Sequence, residues 1–225
     1  MSSYSMIIPV YNEAEALKCL LPKLEKLSKK NIEIILVDDG SNDGSWEIIK
    51  NKDSFISIKN ESNLGKGKSI TNGSKFASKS NIILFDGDLE IDITEIPKII
   101  NAYEKHKNNV LIGIRWDLKL INDYDIHFFG NYMLTTIFNL LFKKKHHDVL
   151  CCIRVINTKL FKSLQLKSRG FGIEVETLGK LAKNGIPTIE YKVLYKRRSR
   201  NDGKKIKFAH ALNILIRMIK VKYES

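Results

Sequence analysis

Along the first 115 residues, apolar positions follow two alternating rhythms. Short, nearly continuous apolar runs at Ser5–Val10, Ile32–Val37, Phe55–Ile58, Ile82–Phe85 and Val110–Ile114 predict strands, because each is brief and bounded by turn-forming residues. Continuous rather than alternating apolar character is what parallel strands show when both faces of their sheet are covered. Pro9 falls at the end of the first run, where a missing N–H does least harm. Between the runs the rhythm becomes helical. Leu17, Leu20, Leu21, Leu24 and Leu27 share one face of a helix predicted over 13–29, and shorter helices are predicted over Trp46–Lys50, from the glycine- and lysine-rich turn Asn63–Lys68 to Ser78, and over Thr94–Lys107. Strand and helix in alternation predict an α/β fold with a doubly wound, mostly parallel sheet.

The second half has longer periods. A helix is predicted over Ile126–Phe142, followed by Lys143, Lys144 and Lys145 where the helix dipole favours cations. A strand over Cys151–Ile156, a helix from Phe171 to the Asn184-Gly185 stop, and an edge or return strand within Ile186–Tyr195 follow. A basic loop from Lys196 to Lys205 leads into a last helix over Ile206–Lys222. The expected organisation is a main domain over 1–205 and a basic amphipathic helix over 206–225. In that helix Phe208, Leu212, Leu215, Ile216, Ile219 and Tyr223 fall on one broad face, with His210, Asn213, Arg217 and Lys220 opposite. Two readings stand: a helix lying in a membrane interface, or one packed on the core.

Composition narrows the partners. The chain has 225 residues, enough for one sizeable core, with 43% hydrophobic and 28% charged residues. Lys and Arg number 38 against 25 Asp and Glu, a net charge of +13 that favours anionic partners. No basic-aromatic module of known pattern appears, so nucleic acid is not an expected partner. Cys19 and the adjacent pair Cys151-Cys152 form no disulfide framework or zinc spacing, which points to a reducing compartment. The opening residues lack a basic start and a long apolar core, so no signal peptide is expected, and no apolar run reaches the roughly 18 residues of a spanning helix.

Chemistry gathers where the predicted strands end: Asn12-Glu13, Asp38-Asp39, Asp86-Gly87-Asp88 and Arg115. Open α/β sheets bind ligands at that edge. Asp86 and Asp88 offer hard oxygen donors on one tight turn, suited to Mg²⁺ or Mn²⁺ also held by substrate phosphates. Alone, Asp-x-Asp fits a solvated turn equally. Asp39 is placed to accept a hydrogen bond from a base N–H, or to cap a turn. Lys66, between Gly65 and Gly67, suits a phosphate or base approached closely by the backbone, or a flexible turn. Neither a Walker-type phosphate loop nor a Gly-x-Gly-x-x-Gly after the first strand is present, which disfavours ATP hydrolysis and a dinucleotide cofactor.

Taken in order, Ile8-Pro9-Val10-Tyr11-Asn12-Glu13, Val37-Asp38-Asp39-Gly40-Ser41, Asn63-Leu64-Gly65-Lys66-Gly67 and Asp86-Gly87-Asp88 resemble glycosyltransferase family 2. Gly113-Ile114-Arg115 resembles that family's strand after the Asp-x-Asp, and Gly130-Asn131, Asp148 with Cys151-Cys152, Phe171 to Glu176, and Tyr195 to Ile206 resemble its dolichyl-phosphate mannose synthase and polyprenyl-phosphate branch. The resemblance implies a GT-A fold with its nucleotide-sugar site at the C-terminal edge of the strands, and inverting sugar transfer from a UDP- or GDP-linked donor. It implies that Pro9, Tyr11 and Glu13 line the nucleotide pocket, that Asp39 reads the base beside Lys66, and that Asp86 and Asp88 hold the metal and diphosphate. Glu90 stands where that branch often has Gln, and either joins the metal or caps a helix at the surface. The implied acceptor is a polyprenyl phosphate on the cytoplasmic face of a membrane, with the enzyme peripheral to it.

Two acceptor chemistries remain open at this level. A hydroxyl acceptor needs a general base, for which Glu176 and Glu174 are candidates. A phosphate acceptor is already ionised and instead needs cations, which Arg115, Arg198, Lys204 and Lys205 would supply. A nucleotide-sugar-binding protein without transfer activity is the remaining alternative, against which the intact Asp86 and Asp88 pair counts.

Overall fold

The computed structural model describes residues 3–106, 109–115, 126–196 and 208–224. Its strands are β1 (Tyr4–Val10), β2 (Ile32–Asp38), β3 (Ile56–Lys59), β4 (Asn81–Leu84), β5 (Val110–Ile114), β6 (Arg154–Asn157) and β7 (Thr188–Lys192). Its helices are α1 (Ala14–Ser28), α2 (Ser45–Ile49), α3 (Lys66–Ser74), α4 (Ile96–Glu104), α5 (Ile126–Phe142), α6 (Thr158–Ser163), α7 (Ile173–Lys183) and α8 (Phe208–Tyr223). The strands form a single sheet in the order β3-β2-β1-β4-β6-β5-β7.

All pairings are parallel except those of β6, which runs antiparallel to both β4 and β5. The mostly parallel sheet predicted from the sequence is therefore present, with one reversed strand that the predicted run at 151–156 did not identify as such. A period of two says which side chains share a face, not which way a strand runs. That strand also starts later than predicted. The guanidinium of Arg154, 1% exposed, takes hydrogen bonds to the carbonyls of Val149, Cys151 and Ile153, so the residues before it curl around the arginine. Short α6 escapes periodicity altogether and is set by its cap, Asn157, whose side chain accepts from the N–H groups of Lys159 and Leu160.

Both faces of the sheet are buried, which is why the strands read as continuous apolar runs. Met6, Ile8 and Val10 of β1, with Ile34 and Leu36 of β2, pack against Leu17, Leu20 and Leu24 of α1 and Ile96 and Ile99 of α4. The alternate residues Ile7, Ile35 and Val37 pack on the other side with Ile70 of α3 and the apolar faces of α5, α7 and α8. Each fully buried leucine contributes about 1.5–3 kcal/mol on removal from water, so the paired faces supply the main drive to fold.

The terminal helix turns a different side inward from the one its sequence suggests. Ile214, Met218 and Val221 are buried in the core shared with α5 and α7, whereas Leu212, Ile216, Ile219 and Tyr223 are exposed. The helix is apolar on two sides, and periodicity alone does not rank them. Arg217, assigned to the polar face, reaches inward to Glu176 of α7. Among the described residues, no helix is long and apolar enough to cross a membrane.

Candidate active site

Strand order reverses between β1 and β4, with β2 and β3 on one side and the rest of the sheet on the other. Such a switch point opens a crevice at the C-terminal ends of the strands, because the connecting loops part there. The loops after β1 and β2 are stapled together along its rim. The backbone N–H of Asn12 donates to Ser41 Oγ, that of Glu13 to Ser45 Oγ and that of Ala14 to Asp43 Oδ2, and Asn42 N–H returns to Asn12 Oδ1. Asn12 has φ of +51°, a left-handed turn that Asn tolerates better than most residues. Pro9 near the end of β1, and Tyr11 and Glu13 on the fixed loop after it, are all half-buried.

Asp39, 2% exposed, holds the next loop in place. Its Oδ1 accepts from Asn60 Nδ2 at 2.8 Å and Leu64 N–H at 2.9 Å, and its Oδ2 from Gly65 N–H at 2.8 Å. Asn60, which no sequence signal marked, is itself fixed by Ser69 Oγ and Asn72 Nδ2. A carboxylate oxygen accepts two hydrogen bonds, so Oδ2 keeps capacity for one more.

Gly65 and Gly67 serve a purpose other than the expected close approach to a ligand. A Cβ on Gly65 would lie 2.6 Å from the carbonyl oxygen of Arg169, and one on Gly67 would lie 2.3 Å from that of Ser168. The loop 168–170 packs directly on the first turn of α3, where Lys68 N–H donates to the Arg169 carbonyl. Gly67→Ala is accordingly expected to lower stability by about 1–3 kcal/mol, measured by urea denaturation, because a backbone carbonyl must move to admit the methyl group. An unchanged midpoint would contradict this packing role.

That packing aims Lys66 into the site. Its ammonium lies 2.7 Å from Asp86 Oδ2 and 2.6 Å from Glu174 Oε1. Burial pulls its pKa down, but the two carboxylates outweigh this and hold it well above the usual lysine value. Phe171 lies beneath, its ring centre 5.8 Å from the ammonium.

On the other side of the crevice, Asp86 to Glu90 form the turn after β4. Leu89 adopts a φ of +62°, uncommon for a branched residue, and Glu90 N–H donates to Asp88 Oδ1 at 3.0 Å. Burial, with the charges of Asp86 and Glu90, pushes the Asp88 carboxyl up to about 7. Like charges crowded this closely are relieved by a cation. Among the described residues, no three His, Cys, Asp or Glu side chains form a ready-made metal cage. Two carboxylates on one turn would suit a hard ion that completes its shell with phosphate oxygens. Glu90 does not cap a helix: Asp92 does, accepting from Thr94 N–H. Glu90 instead accepts from Tyr195 Oη at 3.1 Å, and burial and the Glu90 charge both raise the pKa of that phenol.

Arg115 lies on the far side of Tyr195, 5.6 Å from its ring centre, and forms a two-pronged pair with Asp148 at 2.8 and 3.0 Å. Burial would raise the Asp148 pKa, but Arg115 outweighs it and keeps the carboxylate ionised. Asp148 also accepts from Asn131 of α5. Arg115 is thus the half-buried partner of a fully buried Asp148 beside the site.

Glu176 lies in a buried network that joins α7 to α8 and to the 167–168 backbone. It is fully buried, and its oxygens accept the N–H groups of Lys167 and Ser168 while bonding Arg217 of α8 and Lys180. Burial raises its pKa, but the hydrogen bonds from Arg217 and Ser168 lower it further. These bonds tie the carboxylate to packing partners: Oε1 meets Lys167 N–H, Arg217 and Lys180, and Oε2 accepts from Ser168 N–H. Glu174, two positions earlier and so on the opposite side of α7, stands at Lys66 with Oε2 buried and, among the described residues, without a hydrogen-bond partner. Arg198, Lys204 and Lys205 lie outside the described residues.

The profile of Glycosyl transferase family 2 matches residues 5–165. An uncharacterized protein of Methanocaldococcus jannaschii is 32% identical over 196 residues, covering 82% of this chain and 84% of that protein. The undecaprenyl-phosphate 4-deoxy-4-formamido-L-arabinose transferase of Aeromonas hydrophila is 36% identical over 107 residues, covering 44% of this chain but only 32% of its own length. Among solved structures, the glucosyl-3-phosphoglycerate synthase of Mycobacterium tuberculosis, bound to Mn²⁺, UDP and phosphoglyceric acid, superposes with a TM-score of 0.77. That match covers 100% of this chain and 80% of the synthase at 13% identity, a likeness of fold.

Proposed function

Because this chain belongs to glycosyltransferase family 2 and is a glycosyltransferase of GT-A fold, we propose that it moves a sugar from a nucleoside-diphosphate sugar to a polyprenyl phosphate. The observation that carries this reading is the placement of Asp86 and Asp88 at the switch point, opposite Asp39 and within reach of Lys66. Asp39 would bind a uracil or guanine N–H through its remaining capacity on Oδ2, on the rim formed by Pro9, Tyr11 and Glu13. Asp86 and Asp88, with Glu90 held by Tyr195, would hold Mg²⁺ or Mn²⁺ together with the diphosphate. The ion, when bound, supplies positive charge where the leaving diphosphate becomes more negative. Lys66 would add its charge to that task, and Arg115 would orient the acceptor side through Asp148.

The acceptor is proposed from the relative that acts on undecaprenyl phosphate, and the ion and nucleotide from the mycobacterial synthase that binds Mn²⁺ and UDP. An ionised phosphate needs no base, which agrees with the packing role of Glu176. The basic run containing Arg198, Lys204 and Lys205 would receive it. Work on a lipid-linked acceptor would place the protein on the cytoplasmic face of a membrane. A hydroxyl acceptor is the second reading, favoured by one feature: Glu174 Oε2 is buried without a partner beside Lys66, as a base awaiting a proton would be.

A thermal-shift screen of UDP and GDP, with and without Mn²⁺, tests the donor site. One nucleotide is expected to raise the Tm by several degrees only with the ion present, because a ligand bound to the native state alone stabilises it. Equal, flat responses to both nucleotides would refute the donor site. Glu174→Gln then separates the acceptors: transfer to polyprenyl phosphate should fall only a few-fold, whereas a base role predicts a loss of about 100-fold or more.

A further inference from the structure

Ten large hydrophobic side chains are exposed among the described residues, and eight of them lie on α5 and α8. On α8 they are Leu212, Ile216, Ile219 and Tyr223, between 42% and 78% exposed. Their spacing of four, three and four residues draws a stripe down the side opposite the buried Ile214, Met218 and Val221. On α5 they are Phe129, Tyr132, Met133 and Leu140. The two helices pack together, with Lys222 of α8 over the ring of Phe142 of α5 at 5.7 Å. Half-buried Ile137 and Leu141 edge the core side of α5, and Met133 and Leu140 lie just beyond them at 100° per residue. Ala211 and Leu215 edge the core side of α8 in the same way, with Leu212 and Ile219 beyond.

Charge says what covers this face. Neither α5 nor α8 contains a single Asp or Glu. Lys143, Lys144 and Lys145 follow α5, and Lys220 and Lys222 sit on α8. The chain entering α8 carries Arg197, Arg198, Arg200, Lys204, Lys205 and Lys207. A second copy of a chain with net charge +13 would bring like charges together at this face. An anionic bilayer matches both features, taking apolar side chains at the acyl boundary and lysines at the headgroups.

We propose that α5 and α8 together form a docking platform for an anionic lipid bilayer. The platform begins beside the active site: Phe171, which lies under Lys66, packs on His210 in the first turn of α8 at 5.0 Å. A lipid-linked phosphate in the docked bilayer is thereby brought to the mouth of the donor crevice. This purpose rests on the proposed lipid-phosphate acceptor, but docking itself needs neither donor nor acceptor.

The test is co-sedimentation of the full chain with phosphatidylcholine vesicles, with and without phosphatidylglycerol. Wild-type protein is expected to bind the anionic vesicles. The double substitutions Ile216→Glu with Ile219→Glu, and Met133→Glu with Leu140→Glu, are each expected to weaken binding at least about tenfold. Because these side chains face outward, the Tm and the response to nucleotide should stay as in wild type, which separates lost docking from lost folding or a failed donor site. Wild-type protein that ignores the vesicles, variants that bind as well as wild type, or a concentration-dependent dimer abolished by the same substitutions would each overturn the proposal.

Discussion

Glu176→Gln is expected to destabilise the fold by about 3–5 kcal/mol, the usual loss when one partner of a buried ion pair is removed. The carboxylate is fully buried and joins α7 to the loop just before it and to α8, 41 residues away. It sits on α7, accepts the N–H groups of Lys167 and Ser168, and pairs with Arg217 of α8. Gln keeps the shape but loses the charge. One oxygen becomes an amide that faces a backbone N–H donor, and Arg217 and Lys180 lose their compensating charge. The loop 168–170 is the one that packs on Gly65 and Gly67, so its loosening also relaxes the aim of Lys66. A urea titration should show the midpoint falling sharply, with Arg217→Ala producing a smaller drop. Were Glu176→Gln to keep wild-type stability and lose transfer alone, Glu176 would be acting in the reaction rather than in packing.

Asp88→Asn should do the opposite to stability and the most to activity. A carboxyl pushed up to about 7 by burial and by Asp86 and Glu90 is one whose ionised form the fold disfavours. The sign follows: such a group lowers stability progressively as pH rises from its unfolded value near 4 through about 7, and neutralising it removes that cost. A gain of about 1–2 kcal/mol at neutral pH, or a few degrees in Tm, is expected without added ion. Turnover with a nucleotide-sugar should meanwhile fall about a thousandfold, the scale of losing one electrostatic stabiliser of the leaving group. The Mn²⁺-dependent nucleotide shift should vanish with it. A stabilised variant that remains fully active would show that Asp88 is not part of the proposed metal clamp.

The opposite signs of these two expectations reflect how much of the site could be read in one dimension. Asp86-Gly87-Asp88, Asp39 and Lys66 each follow a recognisable run of secondary structure, so their arrival at one sheet edge was legible. Their partners were not. Glu176 and Arg217 are 41 residues apart, and Arg115 and Asp148 are 33 apart, with no periodic relation between them. Gly65 and Gly67 read as room for a ligand, yet the carbonyls of Ser168 and Arg169 occupy the space where side chains would have been. Asn60, which anchors Asp39, is one asparagine among many in the sequence.

What the sequence by itself determined was local: the alternation of strands and helices, the covering of both sheet faces, and the strand ends at which acidic residues collect. These follow from backbone periodicity and turn chemistry, which act over a few residues. The tertiary structure decided the reversal of β6, the inward side of α8, and the difference in fate between Glu174 and Glu176. These two glutamates lie two positions apart in the first turns of one helix, yet one faces Lys66 and the other is sealed by α8 and the 167–168 backbone. Only the packing of distant segments sets the burial and the hydrogen-bond partners on which a carboxylate's chemistry depends.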